Sequence, residues 1–283
     1  MSKTVLITGA SDGIGFEIAR LAIAEGYTVT MLARDETRLR FAADTLNWGI
    51  KPRFAAIDLT DERQRRNYMI GMEEADYIPD ILVNNAGIGF AGDFADVPWE
   101  KLENLFNLNM IATAHLTHWM FNRMKIRGSG SIINMSSAIA TRPAPWFAAY
   151  SASKAFINSL SQALHVEGKP YGVHVAVVHP PEVRTRRLVN RQKADLTATL
   201  ALYALPSLSA AHVAQVVLQT AENRRRSVAP GLLTWLAMAS AGKLPDWMDL
   251  FIMSVLFRQR KWLQPPSEEE MTSLEKTPPG IEI

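Results

Sequence analysis

The sequence predicts an α/β fold built on one open sheet of parallel strands, and three observations carry that prediction. Short apolar runs alternate with helical patterns from Thr4 to Val178. The first run leads directly into a glycine-rich turn, Gly9-Ala10-Ser11-Asp12-Gly13-Ile14-Gly15, that opens a helix. Later runs end in small and polar residues, Asn84-Asn85-Ala86-Gly87 and Ser136-Ser137, at the strand ends where open α/β sheets carry their sites.

A chain of 283 residues fits one large domain. Its 30 basic and 28 acidic residues leave a net charge of +2, which argues for no nucleic-acid partner. Cysteine is absent, which excludes disulfides, thiolate metal sites and Cys nucleophiles, and no metal is expected. Met1-Ser2-Lys3 runs straight into a strand without a secretory apolar core. No apolar run reaches the roughly 18 residues of a membrane span. The expected location is therefore the cytoplasm.

Thr4 to Thr8 reads as a buried strand, followed by a helix through Ile18, Leu21, Ala22 and Glu25. This turn aims backbone N–H groups and a helix N-terminus at a diphosphate. Gly9 makes the turn, Gly13 admits the phosphate and Gly15 lets helix and strand pack closely. Thr28 to Ala33 is the second strand, ending at Arg34 with Asp35 beyond it. An acid at this place takes ribose hydroxyls, whereas an Arg suits a 2′-phosphate, so Arg34 favours NADP over NAD. Asp35 to Asn47 is an amphipathic helix and Arg53 to Ile57 a third strand ending at Asp58-Leu59, where Asp58 is placed to accept from an adenine amino group. A charged helix is expected from Asp61 to Ala75, a fourth strand over Ile81-Leu82-Val83, and one long helix from Trp99 to Arg127. Asn109 lies inside that helix, where an amide either packs or disturbs the backbone ladder and holds a water. Ser131 to Ser136 is the fifth strand and Val173 to Val178 the sixth.

Between them lies Tyr150-Ser151-Ala152-Ser153-Lys154. Four residues apart on a helix, Tyr150 and Lys154 share a face. A phenol titrates near pH 10 and exchanges protons poorly at neutral pH, so a neighbouring ammonium is expected to lower its pKa. Ser137 precedes Tyr150 by thirteen residues. Pro143 and Pro145 make the intervening loop extended, and Trp146 and Phe147 give it an apolar wall.

Beyond Thr185 the rhythm weakens. Residues 186–208 read as a helical lid insertion, and Ala210 to Glu222 as a further helix. The segment 231–262 holds two apolar stretches followed by Arg258, Arg260 and Lys261. It either covers the pocket and a subunit contact or makes a peripheral membrane contact with its cations at head-group level. Residues 263–283 read as a mobile tail. The expected organisation is thus a dinucleotide-binding and catalytic domain over 1–230, the extension and the tail.

Together these motifs resemble the short-chain dehydrogenase/reductase family. They are TGASDGIG at 8–15, Asp58, NNAG at 84–87, Asn109, Ser137, YSASK at 150–154 and the segment from Pro180 to Thr185. The resemblance implies a single Rossmann-type, doubly wound sheet of about seven strands with helices on both faces. It implies a catalytic set of Asn109, Ser137, Tyr150 and Lys154, with Ser137, Trp146 and Tyr150 facing substrate. It places the cofactor against Gly9, Ser11, Asp12, Gly13, Ile14, Gly15, Arg34, Asp58, Leu59, Asn85, Ala86, Gly87, Tyr150, Lys154, Pro180, Val183 and Thr185. It also implies a homodimer or homotetramer formed through the long helices. One departure is Pro180-Pro181 where the family usually has Pro-Gly; the second proline removes a backbone donor and stiffens the loop.

A narrower resemblance, to 3-ketodihydrosphingosine reductases, rests on FAAYSASKAF, on HPPEVRT and on the apolar extension with its basic cluster. It implies NADPH-dependent reduction of a ketone on a long-chain, lipid-like substrate, at a membrane surface. Two other readings stay open: a reductase of another hydrophobic carbonyl, such as a hydroxysteroid or 3-oxoacyl compound, and a non-catalytic NADP-binding regulator.

Overall fold

The computed structural model of the chain describes residues 2–46, 51–184 and 208–258. The expected lid, save its last residue, the expected tail and Thr185 lie outside the described residues. Six strands fall where apolar runs occur: β1 (Thr4–Thr8), β2 (Thr28–Ala33), β3 (Arg53–Ala56), β4 (Ile81–Asn84), β5 (Gly130–Met135) and β6 (Val173–Val178). A two-residue pair, β7 (Val183–Arg184) and β8 (Leu208–Ser209), forms a separate parallel ribbon. The seventh strand of the main sheet is β9 (Ser227–Val228), a length too short to show any apolar period.

The main sheet has the order β3-β2-β1-β4-β5-β6-β9, parallel throughout. Chain direction along the sheet reverses between β1 and β4, which opens a crevice at their C-terminal ends. Pairing of Thr8 with Leu32, Asn84 with Asn134 and Met135 with Val178 aligns those ends along one edge.

Alternation along each strand splits the core in two. Val5, Ile7, Ile81, Val83, Ile133 and Val178 pack on one face under α1 (Gly13–Ala24), α2 (Glu36–Thr45) and α7 (Ala210–Glu222). Leu6, Leu82, Ile132 and Val175 pack on the other under α3 (Glu62–Glu74) and α5 (Thr113–Arg127), with α6 (Ala148–Gly168) beside β6. Helix starts follow local chemistry: Asp12, Asp35, Asp61 and Ser209 each cap a helix by accepting from a first-turn N–H.

The expected single helix from Trp99 to Arg127 is in fact α4 (Trp99–Phe106) and α5 joined by a π-helical turn, Asn107–Ala112. Asn109 sits in that turn. The loop after Ser137 is extended only from Arg142; before it comes a 3₁₀ turn, Ala138–Thr141. The extension forms α8 (Leu232–Ala239) and α9 (Asp246–Arg258). Among the described residues no helix is long and apolar enough to cross a membrane.

Candidate active site

Three strand ends and two helices bring the expected side chains together. At the end of β1, Gly9 takes φ +67°, and a side chain there would lie 2.9 Å from Ala86 Cα. At Gly15 a Cβ would meet the Gly9 carbonyl at 2.3 Å. The turn therefore needs glycine at both places, one for conformation and one for space. Asn85 ties it to β4, its amide nitrogen donating to the Thr8 and Gly9 carbonyls at 3.0 and 3.3 Å. The resulting groove of glycine and small residues, open to backbone N–H groups at the start of α1, fits a diphosphate.

Asp12 carries a load the spacing did not reveal. Its Oδ1 accepts from Gly13 N at 2.8 Å and its Oδ2 pairs with Arg38 Nη2 at 2.9 Å. Arg38, which sequence reasoning missed, thus stands over the glycine turn from the first turn of α2, while the exposed Arg34 precedes that helix. Its Nε is buried with no hydrogen-bond partner among the described residues. The spacing of four gave no clear signal, since Arg34 lies before the helix cap Asp35 and shares no helical face with Arg38. Asp58 shapes its own turn, Oδ1 accepting from Thr60 N at 2.9 Å and Thr60 Oγ1 at 2.7 Å.

Below the crevice an amide chain links strand ends. Asn84 Nδ2 donates to Asn134 Oδ1 at 2.8 Å, and Asn134 Nδ2 to Ser161 Oγ at 2.9 Å. This fixes β4, β5 and α6 relative to one another. Asn109 closes the next layer: it accepts from Ile88 N at 2.9 Å, donates to Ile88 O at 2.8 Å and reaches Ser153 Oγ at 3.1 Å. Both of its N–H groups and one lone pair of its Oδ1 are therefore committed to holding the loop after β4 against α6.

The spacing of Tyr150 and Lys154 does place them on one face, with Lys154 Nζ 5.9 Å from the centroid of the Tyr150 ring. Lys154 is buried and donates to the Met135 carbonyl at 2.9 Å, which leaves two ammonium hydrogens. A side chain at Gly87 would approach Nζ to 3.4 Å, so those hydrogens face the small-residue strand end. Burial pushes Lys154 down to about 8. The expected lowering of the Tyr150 pKa is not what the site produces. Tyr150 retains some exposure, yet enough protein surrounds its phenol that burial raises its pKa, with a hydrogen bond to Ser137 pulling partly back. Desolvation outweighs the ammonium because Nζ is turned to Met135 rather than to the phenol oxygen. Tyr150 therefore keeps its proton at neutral pH and is poised as an acid.

Ser137 is braced from behind by His179, a residue not singled out by the sequence. His179 Nδ1 donates to the Ser137 carbonyl at 3.4 Å, and Nε2 meets Ser227 Oγ at 3.2 Å. Burial lowers the His179 pKa to about 4, so the ring is neutral and one nitrogen accepts while the other donates. Pro180 adds to the brace, its carbonyl accepting from Ala138 N at 3.0 Å.

Beside Tyr150 lies a cavity of about 200 Å³ lined by Phe90, Phe94, Val97, Leu102, Pro145, Trp146 and Phe147 among others. Phe90, Val97, Leu102 and Ala149 also pack in the cluster that holds Tyr150, so the cavity adjoins that cluster, although Tyr150 itself is not part of its lining. Trp146, expected to face substrate, does line it. Its backbone lies at φ +63°, which a bulky side chain adopts only under constraint. The Phe90, Phe94 and Val97 walls had no periodic signal, because they sit on a loop.

Residues 3–196 match the model of the short chain dehydrogenase family. Sulfoacetaldehyde reductase 2 of Chromohalobacter salexigens is 31% identical over 84% of this chain and 98% of its own length. The 3-ketodihydrosphingosine reductase of Mus musculus is 32% identical over 67% of this chain and 59% of its own length. A solved short-chain dehydrogenase from Sphingobium yanoikuyae, in complex with NADPH, superposes with a TM-score of 0.73 at 31% identity, covering 85% of this chain and 94% of that one.

Proposed function

The chain belongs to the short-chain dehydrogenase family, an NAD(P)-dependent oxidoreductase, and from that premise we propose that it reduces the ketone of a long-chain, lipid-like substrate to a secondary alcohol with NADPH. The observation that carries the reading is a largely enclosed Tyr150, hydrogen-bonded to Ser137 and packed in the cluster that borders an apolar cavity. A phenol beside a hydroxyl can pass its proton to a carbonyl oxygen as hydride reaches the carbon.

In this reading Ser137 donates to the carbonyl oxygen, where negative charge will build. Tyr150 gives its proton to the same oxygen as the alkoxide develops. Lys154 uses its two remaining hydrogens on ribose hydroxyls and keeps a positive charge near the phenol. Asn109 holds the loop after β4; since its amide is committed, a water linking Lys154 to solvent would rest on the main chain of the opened π turn. The Gly9–Gly15 turn, with Ser11 and Ile14, would hold the diphosphate, and Asp58 and Leu59 the adenine. Asn85, Ala86, Gly87, Pro180 and Val183 would flank the nicotinamide half, and Arg34 with Arg38 the 2′-phosphate. Bound NADPH would supply the hydride.

The cavity is smaller than the roughly 300–1,000 Å³ of ordinary ligand pockets, so it fits the part of an apolar substrate next to the ketone rather than a whole chain. The resemblance to the mouse reductase supports 3-ketodihydrosphingosine as a candidate. Homodimer or homotetramer assembly is part of the proposal, supported by exposed Ile126 and Val166 on α5 and α6 and measurable by sedimentation. So is a peripheral membrane contact through 231–262.

The test is NADPH oxidation over a panel of long-chain, steroidal and 3-oxoacyl ketones. Tyr150→Phe is expected to lower turnover at least ~100-fold while NADPH fluorescence titration stays near wild type. In the same assay Arg34→Asp is expected to shift preference toward NADH. Robust turnover by Tyr150→Phe would refute the acid, and a steroid or 3-oxoacyl preference would move the substrate. No oxidation with any ketone would leave the NADP-binding regulator.

A further inference from the structure

The helix pair α8–α9 buries few of its own side chains. Among the described residues of this segment, only Thr234, Asp249 and Met253 are buried. Asp249 and Met253 are four apart on α9 and so share one face. Both face the segment that separates Ser137 from Tyr150. Met253 packs with Ala144 and against Ile139, Trp146 and Phe147. Asp249 Oδ1 lies 3.5 Å from Arg142 Nε, and Arg142 Nη2 donates to Ser240 Oγ, on the α8 side of the pair, at 2.8 Å. Arg142 thereby meets the extension where α8 ends and α9 begins, by a hydrogen bond to Ser240 and by charge to Asp249, whose Oδ1 makes no hydrogen bond with Nε among the described residues.

Two features show that this contact does more than fasten a terminus. Trp146 and Phe147 pack in the cluster of Ala144 and Met253 and also line the cavity near Tyr150. Trp146 lies in a backbone conformation that persists only where surrounding structure over-determines it. One restraint is visible on the cavity side, where Gly92 N donates to the Trp146 carbonyl at 3.0 Å. The other is α9. A buried ion pair is a poor source of stability but a good one of geometry, since loss of one partner strands the other.

We propose that Arg142 and Asp249 form a latch that docks α9 behind Trp146 and Phe147 and so sets the shape of the apolar cavity, making both positioning residues for chain-length selectivity. The inference rests on the reductase reading for its selectivity and on geometry alone for the latch. Neither side chain touches a reacting atom.

The experiment uses the full chain and the variants Arg142→Gln, Asp249→Asn and the reversed pair Arg142→Asp/Asp249→Arg. Hydrogen exchange reads the latch without any substrate. Each single variant is expected to exchange about tenfold faster in 138–149 and 246–258 together, with β1, β4 and β5 unaffected. Faster exchange in 246–258 alone would overturn the coupling. Steady-state assays with one short-chain and one long-chain methyl ketone read the selectivity. The single variants are expected to raise KM for the long ketone about tenfold with a much smaller change in kcat, and the reversed pair to recover most of it. Equal losses on both ketones, or no recovery in the reversed pair, would reduce the contact to a structural one. If wild type turns over neither ketone, the reductase reading fails, and exchange still decides the latch.

Discussion

Burial takes Lys154 out of water, and the acceptor it meets is a carbonyl, Met135 O, rather than a carboxylate. Its pKa falls to about 8 for that reason. The sign has two consequences. The folded chain binds this proton more weakly than the unfolded chain, whose lysines titrate near pH 10.4. Lys154 therefore adds stability that is fully present above about pH 10.4 and is lost as pH falls through about 8. Chemistry runs the other way, because the charge that supports Tyr150 disappears as pH rises through the same value. The free-enzyme profile, kcat/KM for ketone reduction against pH, is expected to fall above about pH 8. Lys154→Met is expected to be slow and to lack that limb. A limb retained in the variant would assign it to another group.

At the scale of elements, the π turn Asn107–Ala112 is what lets one amide serve two others. By widening the helix it turns Asn109 toward Ile88, where both main-chain polar groups of Ile88 are met by one side chain. Asn109→Ala strips those partners. It is expected to cost about 1–3 kcal/mol of stability, read as a lowered urea midpoint, and to lower activity further than that loss explains. An unchanged midpoint would mean that water replaces the amide. The same region shows what a sequence can carry. Strands β1, β2, β4, β5 and β6 were legible because each is a run of apolar residues buried on two faces, and the Gly9–Gly15 turn because its chemistry is local. The break in the long helix was half legible: a mid-helix Asn signals disturbance, but its partner Ile88 lies 21 residues away. Strand β9 and the brace of His179 on Ser137 left no trace, since two residues have no period and the brace joins separate strands. The pKa direction of Tyr150 was misread for the same reason. Helical spacing places Lys154 near the ring but does not say where its ammonium points.

For the molecule as a whole, among the described residues, α1–α7 bury most of their apolar side chains, though Phe41, Ile70, Trp99, Ile126 and Val166 stay exposed, and α8–α9 bury few. Leu232, Trp235, Trp247 and Phe251 are 71%, 55%, 70% and 65% exposed, and only their opposite edge is held, through Asp249 and Met253. Single exposed apolar residues need no explanation, but four on two neighbouring helices, two of them tryptophans, call for one. In sequence these residues are followed by Arg258, Arg260 and Lys261. Aromatic side chains beside cations suit the interface of an anionic bilayer, where rings sit among head groups and charges meet phosphates. A substrate with a long apolar chain resides in that same layer, and the latch puts α9 directly behind the cavity wall that would receive it. The chain is therefore expected to float with phosphatidylserine-containing vesicles and to sediment with neutral ones at raised salt, since part of the attraction is screened. Trp235→Glu/Trp247→Glu is expected to abolish flotation while short-chain ketone reduction continues, because both rings are exposed and neither belongs to the contacts of Arg142 or the cluster of Met253. Flotation that survives the double variant would remove the membrane from this account and return the exposed face to a second copy of the chain, which sedimentation would then reveal as a dimer lost in the same variant.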